Sequence, residues 1–258
     1  MILAILQARV SSSRLPGKVL KPILGVPMLI RQLERVKRAK MIDRLVVATS
    51  IDPSDDPIED LCRQNGIECC RGDLKDVLDR FYQVAKSYRP EHIVRLTGDC
   101  PLIDPEVIDR VIRFYLDGGY DHASNGGEPT FPDGLDVEIF RFSALELAWQ
   151  EARLPSEREH VTPFIYTHPE RFRTAQYKNH VDLSYLRWTV DEPADFELVR
   201  IVYESLYPSR PDFSTTDILA LIENRPELAT MNTHHARNEG YAKSLHEDKA
   251  FLEKQASQ

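Results

Sequence analysis

Residues 2–18 read ILAILQARVSSSRLPGK, and this stretch predicts the class of fold. The apolar run at residues 2–6 is typical of a strand that is buried on both faces, as the strands of parallel sheets are. It runs directly into a polar loop, residues 7–18, that holds two arginines, one lysine and three serines. Because ligands of open α/β sheets bind beyond the carboxyl ends of the strands, this loop lies where a ligand is expected.

The rest of the chain extends the alternation of strand and helix. Strand-like segments at residues 45–48, 67–70 and 92–96 are separated by helix-like segments at 27–36, 58–65 and 77–85. The pattern breaks at about 120–180, which is rich in turn signals, and returns with residues 186–190 and a helix after Pro193. We therefore expect an α/β fold with a mostly parallel sheet and an inserted lobe at about 120–180. Residues 227–258 are polar with a weak helical pattern, and we expect a solvated C-terminal tail there, either helical or mobile.

The composition is that of an ordinary globular protein. The 258 residues include 33 basic and 41 acidic side chains, a net charge of −8, with 42% hydrophobic and 29% charged residues. No apolar run approaches the ~20 residues of a spanning helix, so no membrane partner is expected. The acidic balance argues against nucleic acid as a partner. The four cysteines form no CxxC pair and no signal peptide is evident, so we expect reduced thiols and a cytoplasmic protein.

The polar loop concentrates positive charge within this acidic chain. Arg9, Arg14 and Lys18 flank the hydroxyl groups of Ser12 and Ser13. Cations, hydroxyls and backbone N–H groups in such a loop make a cradle for a polyphosphate. The Walker pattern and the dinucleotide glycine pattern are both missing from this loop, so it does not follow either of those plans. The alternative interpretation is a solvated basic loop without a ligand.

Two aspartates follow strand-like segments elsewhere in the chain. Asp99 ends the segment LTGD at residues 96–99, and Asp191 follows residues 186–190. Because Mg²⁺ prefers carboxylate and phosphate oxygens, the two carboxylates could clamp one or two Mg²⁺ ions over a reacting phosphate. The structural alternatives are that Asp99 caps the turn before Pro101 and that Asp191 caps the following helix.

These segments together resemble a known family. The loop, QARVSSSRLPGKVL at residues 7–20 with GVPM at 25–28, is similar to the signature of the CMP-sugar-acid synthetases, the 3-deoxy-manno-octulosonate and acylneuraminate cytidylyltransferases. TGDCPLI at 97–103 resembles their metal-binding strand end, and TVDEP at 189–193 resembles their second metal carboxylate. DVLDRF at 76–81, DGLDVE at 133–138 and REHVTP at 158–163 resemble the branch of spore coat polysaccharide biosynthesis cytidylyltransferases. The matches span about residues 1–195.

The resemblance implies a fold and a reaction. The fold would be a Rossmann-like nucleotidyltransferase of the glycosyltransferase-A type, usually a homodimer, with residues 1–226 as the nucleotidyltransferase domain. The inserted lobe would supply dimer contacts and part of the sugar pocket. In the implied reaction, a hydroxyl group of a sugar, expected to be a 2-keto sugar acid, attacks the α-phosphate of CTP and expels pyrophosphate with Mg²⁺ as cofactor. The product would serve surface polysaccharide or glycan biosynthesis.

The matched motifs also imply roles for single residues. Arg14, Lys18 and Asp99 are the expected catalytic residues, and Asp99 and Asp191 are the expected Mg²⁺ ligands. Thr97 stands where the better-characterised synthetases carry a glutamine that helps to read cytosine. The expected nucleotide-binding residues are Gln7, Ala8, Arg9, Ser12, Ser13, Arg14, Lys18, Arg80 and Thr97.

The sugar would be bound from the inserted lobe and the strand after it. The expected residues are Asp136, Arg158, His160 and Arg187. Either Arg158 or Arg187 would supply the cation for a substrate carboxylate. The alternative for His160 is a structural histidine beside the turn that follows it.

Two other functions fit the same sequence. One is a nucleotidyltransferase that acts on a sugar 1-phosphate or a polyol phosphate and makes an NDP-linked product. The other is a non-catalytic nucleotide-binding module. The presence of Arg14, Lys18, Asp99 and Asp191 together favours an enzyme, because a degenerate site tends to lose a metal carboxylate.

Overall fold

Strand β1 (Ile2–Gln7) lies inside a seven-stranded sheet in the computed structural model, which describes residues 1–233, 237 and 239–256. The other strands of this sheet are β4 (Arg44–Ser50), β5 (Glu68–Gly72), β6 (His92–Thr97), β7 (His122–Ser124), β8 (Glu138–Arg141) and β9 (Thr174–Gln176), while β2 (Pro22–Ile23) and β3 (Val26–Pro27) form a small hairpin. The strand order is β5-β4-β1-β6-β8-β7-β9. The first four run parallel, β8 is antiparallel to both neighbours, and β7 and β9 are parallel to each other. The predicted α/β fold with a mostly parallel sheet is confirmed.

Helices cover both faces of the sheet. They are α1 (Met28–Val36), α2 (Asp56–Gln64), α3 (Val77–Tyr88), α4 (Pro105–Gly118), α5 (Phe142–Glu151), α6 (Pro155–His160), α7 (Pro163–Tyr166), α8 (Pro193–Leu206), α9 (Thr215–Asn224) and α10 (Glu239–Ala256). Short 3₁₀ turns occur at Lys18–Leu20, Pro53–Asp55 and Pro226–Thr230. Among the residues that the structure describes, none of these helices is long and apolar enough to cross a membrane.

The burial of β1 follows from its composition. Ala4 and Leu6 pack into the core beneath α1 and α4, whereas Leu3 and Ile5 pack into the core beneath α3 and α5. All four side chains are inaccessible to solvent. Successive side chains of a strand point to opposite faces, so an uninterrupted apolar strand can fill two cores at once.

The segment at residues 120–180, expected to form an inserted lobe, joins the main sheet. It contributes β7, β8 and β9, and β8 pairs with β6 through contacts such as Ile93 with Phe140 and Val94 with Ile139. These strands have only three or four residues, too few for the period-two pattern to be recognised in the sequence. The segment therefore extends one side of the sheet and does not form a separate layer.

Residues 239–256 of the C-terminal tail form helix α10, in line with the weak helical pattern, and most of their side chains are exposed. The helix packs against α6 on its inner side. Asp248 is buried and accepts hydrogen bonds from the backbone N and the hydroxyl of Ser156, at 2.9 and 2.6 Å. The polar pattern of the tail suggested solvation, but polar side chains can be buried when they are hydrogen-bonded to each other.

Candidate active site

A cavity of about 930 Å³ opens at the carboxyl ends of β1 and β6. Its wall includes all of the residues predicted for the site except Arg158, namely Gln7, Ala8, Arg9, Ser12, Ser13, Arg14, Lys18, Arg80, Thr97, Asp99, Asp136, His160, Arg187 and Asp191. The predicted phosphate loop, the two aspartates and three of the four predicted sugar-binding residues thus face one space. A cavity of this volume lies at the upper end of the usual range for small-molecule sites.

The phosphate loop is held in place from both of its ends. The backbone N of Val10 donates to Oδ1 of Asp55 at 2.7 Å, and the Asp55 side chain is fully buried. The backbone N of Gly17 donates to the carbonyl of Val10 at 3.0 Å and closes the loop. Gly17 has φ of 71°, a left-handed conformation that glycine adopts without a steric penalty. The turn therefore delivers Lys18 to the floor of the cavity.

Lys18 joins the two predicted metal carboxylates. Its Nζ donates to Oδ1 of Asp191 at 2.9 Å, to Oδ2 of Asp99 at 3.3 Å and to the carbonyl of Val190 at 2.6 Å. The residue is only 7% exposed. Burial opposes the charge, but Asp99 and Asp191 outweigh it and raise the pKa of Lys18. A permanent cation therefore lies between Asp99, which follows the end of β6, and Asp191. The expectation of a strand at residues 186–190, before Asp191, is wrong, because these residues make only an isolated bridge, Asp133 with Arg187, and no strand.

The donor set at this point fits a hard divalent cation. Burial would raise the pKa of Asp99, but Lys18, Thr97 and Cys100 lower it to about 2, so the carboxylate stays ionised. Asp99 and Asp191 offer carboxylate oxygens to a common point, as their shared contact with Lys18 demonstrates. Within residues 1–233, 237 and 239–256 there is no group of three or more His, Cys, Asp or Glu side chains arranged to hold a metal. The two carboxylates themselves suit Mg²⁺, which binds one or two carboxylates and takes its other ligands from phosphate and water.

The structural alternatives assigned a cap to each aspartate. Asp191 is not the cap of α8, because the N-cap is Glu192 and Asp195 accepts hydrogen bonds from the backbone N of Asp191 and of Glu192. The carboxylate of Asp99, expected in that alternative to cap the turn before Pro101, accepts from Nζ of Lys18 at 3.3 Å and from Sγ of Cys100 at 3.4 Å. The carboxylates of Asp99 and Asp191 are therefore directed to Lys18 and the cavity.

Arg14 connects the phosphate loop to the C-terminal helix. Its guanidinium lies 2.9 Å from Asp191, 3.6 Å from Glu192 and 2.7 Å from Glu239 in the first turn of α10. The side chain is one third exposed. A polyphosphate at this loop would exchange these partially solvated ion pairs for contacts with phosphate oxygens, which are stronger when bidentate.

Arg187 forms ion pairs with three carboxylates. Its guanidinium lies 3.0 Å from Asp133, 3.2 Å from Asp191 and 3.0 Å from Asp195, and the side chain is 6% exposed. Its contact with Asp191 orients that carboxylate from the side opposite Lys18. The structure therefore places Arg187 as a support for Asp191 as well as in the cavity wall.

Arg158 lies away from the cavity. Its guanidinium donates to the carboxylate of Asp76, the N-cap of α3, and to the carbonyl of Trp149 in α5 at 3.0 Å. It thus ties α6 to α3 and α5. The expectation that Arg158 contacts a sugar arose because the sequence shows a cation but not the distant carboxylate, that of Asp76, with which it pairs.

His160 lines the cavity at the junction of α6 and α10. Its Nε2 lies 3.0 Å from Oγ of Ser244, and its ring meets the edge of Tyr241 at a centroid distance of 5.2 Å. Burial and the nearby Arg95 lower the pKa of His160 to about 4. The imidazole is therefore neutral at pH 7 and contributes to the attachment of α10.

This environment predicts an acid-sensitive stability. Because the pKa of His160 is about 4 in the folded chain and 6.5 in a model peptide, protonation favours the unfolded state as the pH falls below 6.5. The free energy of unfolding should be about 2 kcal/mol lower at pH 5 than at pH 7 from this group. Urea unfolding of the wild type and of His160→Asn at both pH values measures this difference. Between pH 7 and pH 5, the free energy of unfolding should fall less in the variant than in the wild type.

The matched control is His246→Asn, which removes an exposed histidine of α10, the helix that packs against α6. It should retain the pH dependence of the wild type. An equal loss of stability in the wild type and in His160→Asn would contradict the assignment.

Sequence reasoning missed a buried acidic residue in the cavity. Asp133 begins the segment at residues 133–138, in which the sequence shows only a turn signal and a family resemblance. In the structure it pairs with Arg187. Burial and the neighbouring Asp136 raise the pKa of Asp133 to about 7. Gly134 has φ of 105°, and a Cβ there would lie 2.5 Å from the backbone N of Thr189, so only glycine allows this close approach. The glycine was the available signal that the turn packs against another backbone.

It also missed polar side chains on the strands themselves. Arg95, Glu138, His122 and Gln176 all line the cavity. Arg95 and Glu138 form an ion pair at 2.5 Å across β6 and β8. An arginine inside the apolar strand segment at residues 92–96 was a usable signal, because charged residues are rarely buried without a partner.

Comparisons of the sequence and of the structure with known proteins indicate the same family. The family model described as cytidylyltransferase matches residues 3–254. The spore coat polysaccharide biosynthesis protein SpsF of Bacillus subtilis (strain 168) is 36% identical over 250 residues, covering 89% of this chain and 97% of that protein. A 3-deoxy-manno-octulosonate cytidylyltransferase of Syntrophotalea carbinolica is 33% identical over 250 residues, covering 93% and 88%. The solved structure of a cytidylyltransferase from Leptospira borgpetersenii is similar at a TM-score of 0.84 and 35% identity, covering 88% of this chain and 96% of that one.

Proposed function

The chain belongs to the cytidylyltransferase family, and on that premise we propose that it transfers CMP from CTP to a hydroxyl group of a 2-keto sugar acid and releases pyrophosphate. The observation that carries the proposal is the contact of Lys18 with both Asp99 and Asp191 beneath a loop rich in cations. This arrangement suits a polyphosphate and a divalent cation in one place. The similarity to a 3-deoxy-manno-octulosonate enzyme supports the class of acceptor, and the similarity to SpsF supports a role in surface polysaccharide synthesis.

In the proposed reaction the acceptor oxygen attacks the α-phosphorus of CTP. The new phosphorus–oxygen bond forms while the bond to the bridging oxygen of the β-phosphate breaks, and the hydroxyl proton passes to solvent. Lys18 and Arg14 neutralise the leaving pyrophosphate, and the hydroxyls of Ser12 and Ser13 add hydrogen bonds. Asp99 and Asp191 would hold Mg²⁺, which supplies charge neutralisation at the phosphates.

The nucleotide end of the cavity lies near Arg9 and Arg80. Arg80 is 2% exposed, and its Nε has no hydrogen-bonding partner among the residues that the structure describes. Burial and Arg9 lower the pKa of Arg80 to about 10. An anionic ligand stabilises a buried cation that has an N–H group without an acceptor. This supports a role for Arg80 in binding the nucleotide.

Pyrophosphate release tests the proposal directly. The assay combines each of the four nucleoside triphosphates with 2-keto sugar acids, sugar 1-phosphates and polyol phosphates, in the presence of Mg²⁺. We expect release with CTP and a 2-keto sugar acid, and a product whose mass contains one phosphorus. A product with two phosphorus atoms would indicate a sugar phosphate or polyol phosphate acceptor, and CTP binding without release across the whole panel would indicate a non-catalytic module.

The assembly and setting belong to the same proposal. We propose a homodimer, as the family resemblance implies, and light scattering should give twice the mass of one chain. All four cysteines are free thiols, and this supports a reducing, cytoplasmic setting for the reaction.

A further inference from the structure

One face of the sheet carries a line of polar side chains that crosses five strands. Gln7, Arg95, Glu138, Ser124 and Gln176 come from β1, β6, β8, β7 and β9 in that spatial order. Arg95 is the register partner of Glu138, Glu138 of Ser124, and Ser124 of Gln176, so these side chains share a face. We call these five residues the polar row. All five line the cavity.

The polar row gives the cavity its length. Neighbouring strands lie about 4.8 Å apart, so the four steps from β1 to β9 span about 19 Å. The phosphate loop follows β1 and Asp99 follows β6, which places the reacting phosphate near one end of the row. The end on β7 and β9 is therefore available to the part of the acceptor that is remote from the reacting hydroxyl.

A buried histidine at this far end lacks a hydrogen-bonding partner. His122 is 1% exposed, and neither of its ring nitrogens makes a hydrogen bond within the described part of the chain. Its Nε2 lies 3.5 Å from Oε2 of Glu138, a long contact that helps to lower the pKa of Glu138, and its Nδ1 has no partner in the described residues. Buried polar groups in native proteins nearly always have hydrogen-bonding partners. An imidazole that lacks them in a cavity wall therefore indicates a ligand that supplies them.

The neighbouring groups indicate the chemistry of that ligand. Gln176 accepts a hydrogen bond from the backbone N of Gly127 at 3.1 Å, which fixes its amide, and its Nε2 has no partner in the described residues. The Ser124 hydroxyl accepts from the backbone N of Gly126 at 2.9 Å and keeps its proton for another partner. Amide, hydroxyl and imidazole groups match substituents that both donate and accept hydrogen bonds.

The charges of the polar row argue against an anionic substituent at this end. Arg95 donates to Glu138 at 2.5 Å, and Thr162 donates to the other carboxylate oxygen. Burial would raise the pKa of Glu138, but Arg95 foremost lowers it to about 2. A phosphate or carboxylate beside this ionised group would be repelled, and the nearest arginine is already paired.

We propose that His122, Ser124 and Gln176 form a specificity subsite for hydroxyl or amide substituents on the end of the acceptor remote from the reacting hydroxyl. This inference rests on the proposed function and extends it to the acceptor's length. An acceptor that reaches both Asp99 and Gln176 has to be an extended, polar chain. A short acceptor leaves the subsite unfilled and His122 without a partner.

The test compares acceptors of increasing length with CTP. The series is 2-keto-3-deoxy-gluconate, 3-deoxy-manno-octulosonate and N-acetylneuraminate, whose carbon backbones have six, eight and nine carbon atoms. The wild type should prefer the better of the two long acceptors over the six-carbon acid by at least about tenfold in kcat/KM. Gln176→Leu should reduce that preference by about fivefold, the size of one lost hydrogen bond, and leave the KM for CTP unchanged.

A second variant guards against loss of the fold. His122→Phe keeps an aromatic ring beside Phe140 and removes both ring nitrogens. Because it removes an unsatisfied buried polar group, its melting temperature should not fall, while its preference for the long acceptor should fall as in Gln176→Leu. The matched control is Gln64→Leu, which makes the same change on the exposed end of α2 and should behave as the wild type.

The outcomes separate the two proposals. Absence of pyrophosphate release from CTP with every acceptor overturns the proposed function, and the subsite with it. Release that is equal for short and long acceptors overturns the subsite alone. A variant that lowers kcat/KM by the same factor for all three acceptors also overturns the subsite alone.

Discussion

Replacing Asp99 by asparagine should lower kcat/KM for pyrophosphate release from CTP by at least about 100-fold at saturating Mg²⁺. Asparagine keeps the size of the side chain but removes the negative charge that lies 3.3 Å from Lys18. Loss of one preorganised charged group at a reacting phosphate costs several kcal/mol of transition-state stabilisation, which corresponds to a rate change of this size. Initial rates at several CTP concentrations measure it, and circular dichroism checks the fold.

The control for this prediction is Asp60→Asn. Asp60 lies on the exposed face of α2, where it pairs with Arg63 at 2.6 Å. Its replacement should leave the rate within about twofold, because exposed ion pairs contribute little. An Asp99→Asn enzyme that works at nearly the wild-type rate would sink the assignment of Asp99 to the reaction.

Replacing Arg187 by methionine should lower the free energy of unfolding by about 3–5 kcal/mol at pH 7. The change leaves Asp195, which is 0% exposed, and the buried Asp133 without their shared counter-charge. Removing one partner of a buried ion pair is costly because the remaining charge has been taken out of water. Urea unfolding followed by fluorescence of Trp188, a buried neighbour in the chain, gives the value.

Arg200→Met is the matched control for the second prediction. Arg200 also contacts two carboxylates, Glu197 and Glu204, but the pairs are exposed on the surface of α8. The same substitution there should cost less than about 1 kcal/mol. An equal decrease in the free energy of unfolding of the two variants would mean that burial of the Arg187 ion pairs does not contribute to stability.

The two predictions concern neighbouring parts of one network. Asp191 contacts both Lys18 and Arg187, so the carboxylate assigned to Mg²⁺ is oriented from two sides. The stability conferred by Arg187 and the chemistry assigned to Asp99 therefore depend on the same arrangement. A variant of Arg187 should lose activity as well as stability, because Asp191 loses one of its three cationic partners, the others being Lys18 and Arg14.

The class of fold and the heart of the site were accessible from local sequence. The apolar residues 2–6 predict a two-sided strand, and Gly17 and Lys18 end the loop that follows it. Asp99 follows β6, whose carboxyl end meets that of β1 at one edge of the sheet. The strand predicted before Asp191 does not form, and Asp191 reaches Lys18 from a segment outside the sheet. The inferences about β1 and β6 succeed because they need only neighbouring residues and one rule of sheet geometry.

The state of each charged side chain was not accessible in this way. Arg158 and Arg187 are the same residue type, so the sequence alone does not separate their roles. In the structure Arg158 connects helices through Asp76, whereas Arg187 orients Asp191. Each arginine pairs with an aspartate far away in the chain, Arg158 with Asp76 and Arg187 with Asp133, and nothing local predicts these partners. The order of strands β8, β7 and β9 likewise depends on pairings between segments too short to carry a pattern.

Local sequence therefore established a two-faced α/β sheet with a cationic loop and two carboxylates at its carboxyl edge. Folding in three dimensions established which of those charges are already neutralised, how α10 closes on His160 and Arg14, and how the polar row extends the cavity to β9. The physical reason is that secondary structure follows from short-range periodicity and turn chemistry. The electrostatics and shape of a site follow from contacts that only the packed chain brings together.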